Sequence, residues 1–416
     1  MSQTKEEVNK LLVDKVCPGR KNLALGLYLH VPFCSTTCDF CAFYQEKPSK
    51  KGISDYFSGL KLEFERFFPD RPLSTIFMGG GTPGLLSADQ LSELCKMIGS
   101  LDHEAGIEWS IELAPSEINP EKLEVLRKGG VNRISLGVQT FDPRFMDALG
   151  RRHPVEKVLQ AYQCIREVGF ASVNIDLLFG APGQSIEDWE NDLEQAVELK
   201  PDHLSTYCLT FEEDTAMYLR LAEGKVRIDP EREAEFYEFA WDYLPRHGYN
   251  QYEVSNYAKP GHSCRHNLNT WGMNEWIGYG PSACTQYLGV RRKNVPDIAR
   301  WLTPLQAGKE SEFVEKFLIL LRSFLGFLGE ELQEAFGDNF AQLLEQGFVL
   351  HGFPRNVERQ IFAVDDPFGK THPFREKLVG LRIDEHFPAV ESDSRIDSTQ
   401  SSSFGVLLGN EKQGVD

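Results

Sequence analysis

Between Leu25 and about Leu244, short apolar runs rich in β-branched residues alternate with longer stretches of helical periodicity. This alternation predicts a parallel β-sheet with helices packed outside it. Six strand–helix units are too few for a closed eightfold barrel, so we expect an α/β fold with an open, partial (β/α)6 barrel. The predicted strands are Leu25–Val31, Ser74–Met78, Glu108–Leu113, Asn132–Gly137, Ser172–Phe179 and His203–Leu209. The predicted helices are Ser54–Phe68, Ala88–Ile98, Pro120–Arg127, Pro154–Val168, Ile186–Leu199 and Glu231–Leu244.

The pattern changes after about Gly248. Residues 249–289 suggest strands and loops, Val295–Phe348 mainly helices, and Val349–Ile383 a hairpin or an irregular segment. The tail from Glu391 contains SRIDSTQSSS, a composition typical of disorder. We therefore predict a lead-in over 1–24, the partial barrel over 25–248, a smaller mixed α+β region over 249–390 and a disordered tail over 391–416.

Three of the nine cysteines lie within eight positions, just after the first predicted strand, as C-x-x-x-C-x-x-C. They are Cys34, Cys38 and Cys41. A structural zinc site needs four ligands, and the neighbouring loop supplies no fourth Cys or His. Three thiolates suit a 4Fe-4S cluster with one iron left open, which an amine and a carboxylate could chelate. This cluster is therefore favoured over a zinc site and over three unrelated thiols.

The segment from Tyr28 to Cys41, which begins YLHVPFC, resembles the signature of radical S-adenosylmethionine (SAM) enzymes. More narrowly, residues 25–290 resemble the oxygen-independent coproporphyrinogen III oxidase group. The resemblance implies that the cluster passes an electron to the sulfonium of SAM, whose homolysis gives methionine and a 5′-deoxyadenosyl radical. It also implies SAM contacts at positions on or after successive strands: Tyr28, Phe40, Gly79, Gly80, Gly81, Thr82, Glu112, Gln139, Arg151 and Asp176.

The chemistry of several of these residue types suits contacts with SAM. A glycine run lets a ligand approach the backbone closely, and its N–H groups can hold the amino acid part of SAM. A carboxylate at Glu112 can accept hydrogen bonds from ribose hydroxyls or from an ammonium group. No catalytic residue is assigned beyond the cluster, and the sequence leaves open whether SAM is turned over.

Within this group, the sequence is most similar to the haem chaperones. The oxidases carry a further Cys two residues after the third, where Phe43 stands here, and have a longer N-terminal arm. The chaperones carry an H-N-x-x-Y-W motif, matched here by His266, Asn267 and Trp271 but with Thr270 in place of Tyr. The resemblance thus implies haem binding at these three residues, since imidazole is a good axial ligand. The oxidase, a radical SAM methyltransferase and a non-catalytic haem-binding module remain alternatives.

Charge restricts the partners. The chain has 44 Lys+Arg and 62 Asp+Glu, a net charge of −18, which argues against nucleic acid and against a basic membrane-surface protein. The polar N-terminus has no signal-peptide pattern, so we expect a cytoplasmic protein. The resemblance implies haem-accepting proteins and an electron donor such as a flavodoxin or ferredoxin as partners, and it allows a homodimer.

Overall fold

The computed structural model describes residues 24–151, 154–288, 290–307 and 312–313. Residues 1–23 of the predicted lead-in over 1–24, the segments beyond Phe313 and the predicted disordered tail lie outside the described residues. Across the described part of the chain, no helix combines the length and the apolar character needed to cross a membrane.

Six parallel strands in chain order form the centre of the sheet. They are β1 (Leu25–Val31), β2 (Leu73–Gly80), β3 (His103–Leu113), β4 (Arg133–Gln139), β5 (Ser172–Phe179) and β6 (His203–Cys208). The helices that accompany them are α1 (Lys50–Arg66), α2 (Ala88–Gly99), α3 (Pro120–Lys128), α4 (Pro143–Ala148), α5 (Val155–Val168), α6 (Ile186–Glu198), α7 (Ala216–Ala222) and α8 (Pro230–Arg246). The predicted α/β class with six strand–helix units is confirmed.

Two element boundaries differ from the prediction for a clear reason. Helix α1 begins at Lys50 because the Ser49 side chain caps it by accepting from the Gly52 N–H at 3.0 Å. Strand β3 begins at His103, and its first residues are exposed. The first residues of both extensions, Lys50 and Lys51 in α1 and residues 103–106 in β3, are exposed, so they carry no apolar periodicity from which they could be predicted.

Strands from the C-terminal part of the chain extend both edges of this sheet. On one side β9 (Glu275–Tyr279) pairs parallel with β1 and is followed outward by β10 (Cys284–Tyr287), β11 (Val290–Asn294) and β12 (Glu312–Phe313). On the other side β8 (Asn256–Ala258) pairs antiparallel with β6, and β7 (Asn250–Gln251) lies outside it. Helices α9 (Arg265–Trp271) and α10 (Ile298–Gln306) complete this part. The domain limits near residue 248 stay a prediction, because the sheet itself continues across them.

The two faces of the central strands differ in chemistry. In β1, Leu25, Leu27 and Leu29 are fully buried in the apolar core that the helices share. Because successive side chains alternate, Tyr28 and His30 project from the opposite face. On β4 and β5 the inner face carries polar side chains that contact one another, among them Ser135, Asn174 and Asp176. We refer to the carboxyl ends of the parallel strands as the upper end and to their amino ends as the lower end.

A buried carboxyl group joins helix α1 to the C-terminal strands. Glu63 is 3% exposed and accepts hydrogen bonds from the Gly280 N–H at 2.7 Å, from Asn294 Nδ2 at 2.8 Å and from Trp301 Nε1 at 2.9 Å. Burial raises the pKa of Glu63 to about 7, although the three donors act to lower it. The folded protein therefore binds a proton here more tightly than the unfolded chain does.

This raised pKa predicts how stability changes with pH. The contribution of Glu63 should be fully present below its ordinary pKa of 4.5 and should be lost as pH rises through about 7. We expect the unfolding free energy of the wild type, relative to Glu63→Gln, to fall by about 3 kcal/mol between pH 4.5 and pH 8. Urea titrations across that range measure it, with the exposed Glu65→Gln as control. A difference that rises with pH would contradict the assignment.

Candidate functional site

The loop that carries the three cysteines leaves the upper end of β1 and is closed at its base by backbone hydrogen bonds. The Cys34 N–H donates to the Glu46 carbonyl at 3.0 Å, and the Glu46 N–H donates to the Pro32 carbonyl at 2.6 Å. Inside the loop, the Cys41 N–H donates to the Cys38 carbonyl at 3.2 Å. The loop is thus a closed unit, with its base anchored on the sheet.

The thiols of Cys34, Cys38 and Cys41 are free and half-buried, and they lie near enough to influence one another's charge. Burial raises the pKa of the Cys34 and Cys41 thiols, and the neighbouring thiols add to the rise. Arg151 acts to lower the pKa of both thiols, and the Thr82 hydroxyl, 3.5 Å from Cys34 Sγ, acts to lower the pKa of Cys34. A metal centre that binds thiolates would displace these protons.

The donor set fits a cluster better than a single ion. Among the described residues, no three Cys, His, Asp or Glu side chains gather closely enough to hold one metal ion. Three half-buried thiols on one short loop are instead suited to ligate three separate irons of a 4Fe-4S cluster.

Asp39, between the cysteines, fastens the loop to the far side of the upper end. Its N–H donates to the Leu149 carbonyl at 3.1 Å, and its carbonyl accepts from the Met217 N–H at 2.8 Å. Its carboxylate pairs with Arg220. Next to it, Phe40 packs against a small apolar cluster that includes Leu149 and Met217. Phe40, predicted to flank SAM, therefore also anchors the loop.

Gly79 and Gly80, at the end of β2, leave room for two inner-face side chains. A Cβ on Gly79 would collide with the Glu112 carboxylate, and one on Gly80 would collide with the His30 ring. Gly80 also has a φ of +106°, which favours glycine. Its N–H donates to Glu112 Oε2 at 3.1 Å. The glycines therefore position a carboxylate and an imidazole as well as offering backbone to a ligand.

Gly81 brings the end of β2 against the start of the cysteine loop. Its N–H donates to the Val31 carbonyl at 2.8 Å, and the next N–H, of Thr82, donates to the Phe33 carbonyl at 2.7 Å. A Cβ on Gly81 would lie 2.7 Å from the Phe33 oxygen and 2.8 Å from the Val31 oxygen. Because both are backbone atoms, neither can move aside cheaply.

Two carboxylates face inward below the loop. Burial raises the pKa of Glu112 to about 7, helped by the charge of Asp176 and opposed by the Gly80 N–H and Arg133. Burial also raises the pKa of Asp176, which accepts from Ser135 Oγ at 3.0 Å and from an Asn174 N–H at 2.7 Å. Glu112 keeps accepting capacity for a ligand that donates hydrogen bonds.

Gln139, the last residue of β4, and Arg151 both have side chains close to Gly137: a Cβ there would lie 3.3 Å from Gln139 Nε2 and 3.6 Å from a terminal nitrogen of Arg151. Gln139 has a φ of +74°, a left-handed conformation uncommon for a residue with a side chain. Arg151 donates through one terminal nitrogen to the Gly137 carbonyl at 3.4 Å, and its buried Nε has no hydrogen-bond partner among the described residues. A buried donor without an acceptor is what an anionic group of a ligand would satisfy.

Tyr28 is linked to the cysteine loop through His30. The Tyr28 hydroxyl lies 3.1 Å from His30 Nδ1, and His30 Nε2 lies 3.0 Å from the Tyr44 carbonyl. Burial lowers the pKa of His30 to about 4, so the ring is neutral at physiological pH. This makes His30 a positioning group for the segment that follows Cys41.

The haem candidates lie at the lower end, apart from the cysteines. His266 is 6% exposed, its Nδ1 lies 2.9 Å from Thr75 Oγ1, and its ring stacks on Phe77 with centroids 5.2 Å apart. Burial lowers the pKa of His266 to about 3. Asn267 is half-buried, and Trp271, at the end of α9, is 38% exposed. The other predicted site residues lie on or beside the upper end.

Two contributors escaped prediction from the sequence. Asp39 and Arg220 anchor the cysteine loop, but their pairing joins segments that are 181 residues apart. No local spacing indicates it. Their roles follow only from the fold, which brings α7 over the loop.

The crowding at Gly81 predicts the effect of one methyl group. Gly81→Ala should push the start of the cysteine loop away from the end of β2, lower stability by about 1–3 kcal/mol and weaken retention of a cluster. Thermal melts and iron content after anaerobic reconstitution measure both effects. Gly99→Ala is the matched control, because nothing lies within 4 Å of its Cβ position. Equal behaviour of the two variants would show that the close approach is unimportant.

Comparison with known proteins agrees with this geometry. The Radical SAM superfamily matches residues 28–196. The haem chaperone HemW of Lactococcus lactis is 36% identical over 327 residues, which are 76% of this chain and 86% of that protein. The haem chaperone HemW of Bacillus subtilis is 32% identical over 329 residues, 74% of this chain and 86% of that protein. The solved structure of Escherichia coli coproporphyrinogen III oxidase, HemN, a radical SAM enzyme, is 25% identical, covers 75% of each chain and has a TM-score of 0.63. The chain therefore belongs to the radical SAM superfamily and, within it, to the family of the haem chaperone HemW.

Proposed function

We propose that this protein is a haem chaperone of the radical SAM type, which binds a 4Fe-4S cluster, SAM and haem and delivers haem to acceptor proteins. The observation that carries the proposal is the 36% identity to a haem chaperone over 86% of that relative's length. Phe43 supports it, since an exposed phenyl ring, 68% exposed, stands where the oxidases have a further cysteine.

In this proposal, Cys34, Cys38 and Cys41 hold the cluster and leave one iron for the amino acid part of SAM. When bound, the cluster supplies an electron to the sulfonium of SAM. The protein's part is to hold the loop, through Asp39 and Gly81, and to keep the site enclosed.

SAM would lie at the upper end, where donors and acceptors face it from several strands. Glu112 and Asp176 can accept from hydroxyl or ammonium groups, and the unpartnered Nε of Arg151 can donate to a carboxylate. Gln139 and the backbone of Gly79 to Thr82 complete the proposed contacts. Tyr28 and Phe40 flank the same region.

Haem binding is proposed to involve His266, Asn267 and Trp271. With Nδ1 of His266 engaged by Thr75, Nε2 is the nitrogen available for iron. The exposed face of Trp271 offers an apolar surface for a macrocycle. Iron ligation by His266 would require its stacking on Phe77 to open.

An oxidase function is the second candidate, because the solved structure of coproporphyrinogen III oxidase superposes on three quarters of this chain. Oxidative decarboxylation of coproporphyrinogen by this protein would favour it. The electron donor, such as a flavodoxin or ferredoxin, a cytoplasmic location and a homodimer remain proposals alongside the main one.

Haem titration tests the proposed function directly. We expect the wild type to bind haem with a saturable change in the visible spectrum, and His266→Ala to bind at least about tenfold more weakly. The control is His247→Ala, at the exposed end of α8. If His266→Ala lowers the melting temperature but leaves haem affinity unchanged, the imidazole has a structural role and is not part of the haem site. If the wild type fails to bind haem while it decarboxylates coproporphyrinogen, the oxidase replaces the chaperone.

The raised pKa of Glu112 predicts that SAM affinity depends on pH. Only the carboxylate accepts hydrogen bonds at both oxygens, so affinity should rise as pH passes upward through about 7. Between pH 6 and pH 8 we expect an increase of about tenfold in the wild type, and none in Glu112→Gln. Equilibrium dialysis with reconstituted protein measures it. Glu121→Gln, exposed on α3, is the control, and an equal pH response in Glu112→Gln would assign it to another group.

A further inference from the structure

A row of three polar residues crosses the lower part of the inner face. Ser110 of β3, Arg133 of β4 and Ser172 of β5 are direct neighbours in the sheet. Arg133 is 3% exposed, and Ser110 is fully buried. A guanidinium group with five N–H donors therefore lies inside the barrel, where it is nearly removed from water.

None of these three side chains has a hydrogen-bond partner within the described part of the chain. The Nε of Arg133 and the hydroxyl oxygens of Ser110 and Ser172 are buried and unpartnered. Arg133 also forms no ion pair with another described residue. A buried charge without a partner costs several kcal/mol, and an unpartnered buried hydroxyl costs about 1–3 kcal/mol. One guanidinium and two hydroxyls in one row therefore point to a shared missing acceptor.

The nearby acceptors are already engaged by other donors. The Glu108 carboxylate accepts from the N–H groups of Arg265 and His266, both at 2.9 Å, and from the Cys264 thiol at 3.5 Å. The Asp176 carboxylate accepts from Ser135 and Asn174. Both act on Arg133 only through their charge. The guanidinium thus keeps its donors for a group that is not part of the described chain.

We propose that Arg133, Ser110 and Ser172 form a subsite for a carboxylate of the bound substrate. A planar guanidinium matches a carboxylate with two parallel hydrogen bonds. Burial raises the pKa of the neighbouring Glu112 and Asp176, which lessens their repulsion of an incoming anion. A single guanidinium balances the single charge of a carboxylate and would leave a doubly charged phosphate only partly neutralised.

The carboxylate could come from SAM or from a second ligand, and the position favours the second. Gln139, at the upper end of β4, is six residues beyond Arg133, about 20 Å along the strand. His266 lies at the lower end as Arg133 does, and the charge of Arg133 lowers the pKa of His266. We assign the subsite to a propionate of haem, and this assignment rests on the proposed function.

The experiment compares haem with haem dimethyl ester, which lacks both carboxylates. Wild-type protein should bind haem at least about tenfold more tightly than the ester. In Arg133→Gln the ratio of the affinity for haem to that for the ester should fall to about one. Ser110→Ala, which removes a hydroxyl that has no partner and should leave the fold intact, should reduce the preference several-fold. Arg265→Gln, exposed at the lower end, is the matched control and should keep it.

Each other outcome is decisive. Equal binding of haem and its ester by the wild type would overturn the subsite while leaving the chaperone proposal in place. Loss of SAM affinity in Arg133→Gln with unchanged haem preference would assign the carboxylate to SAM and overturn the proposal. Failure of the wild type to bind haem at all would remove the proposed function and the subsite together. Should Arg133→Gln not fold, Ser110→Ala decides alone.

Discussion

The contact between Gly81 and the backbone that follows β1 sets the geometry of the upper end. Two consecutive N–H groups, of Gly81 and Thr82, donate to carbonyls on either side of Pro32. This close approach is open only to glycine, and it fixes where the cysteine loop leaves the sheet. Glu112, His30 and Tyr28 are in turn positioned against the same glycine run or the loop. The cofactor site therefore depends on a backbone-to-backbone contact more than on any single side chain.

The inner face of the sheet distributes its charges unevenly. Glu112 and Asp176 face the upper region, where a positively charged sulfonium ligand is proposed, and Arg133 lies at the lower end with its donors uncommitted. In a low-dielectric interior such charges act on one another without direct contact. Arg133 lowers the pKa of both carboxylates. A ligand that neutralised Arg133 would therefore make both carboxylates easier to protonate, so that occupancy at one end influences binding at the other.

Local pattern was sufficient to predict much of the fold. Strand β5 was predictable over its whole length, Ser172–Phe179, because the segment SVNIDLLF alternates polar and apolar residues and then ends in an apolar run before a turn. The cysteine triplet was visible from its spacing, and the positions expected to contact SAM followed from the family resemblance; their contacts with ligands stay a prediction. Their place near the carboxyl ends of the strands is where ligand-binding groups gather in parallel sheets. The depth of His266 was not, since its contacts with Thr75 and Phe77 join positions about 190 residues apart. The free donors of Arg133 were equally hidden, because they depend on which other side chains already occupy Glu108 and Asp176.

The pairing of β9 with β1 has a consequence for how the chain folds. The first strand of the sheet acquires its outer neighbour only when residues 275–279 are available, some 250 positions later. Until then β1 presents a row of unpaired backbone groups, as does β6 before β8 is made. Nascent or truncated chains that end near residue 248 would thus expose two unpaired sheet edges, which are prone to pair with other chains. The C-terminal strands act as edge protectors, and the protein is expected to complete its sheet late, through contacts of long sequence separation.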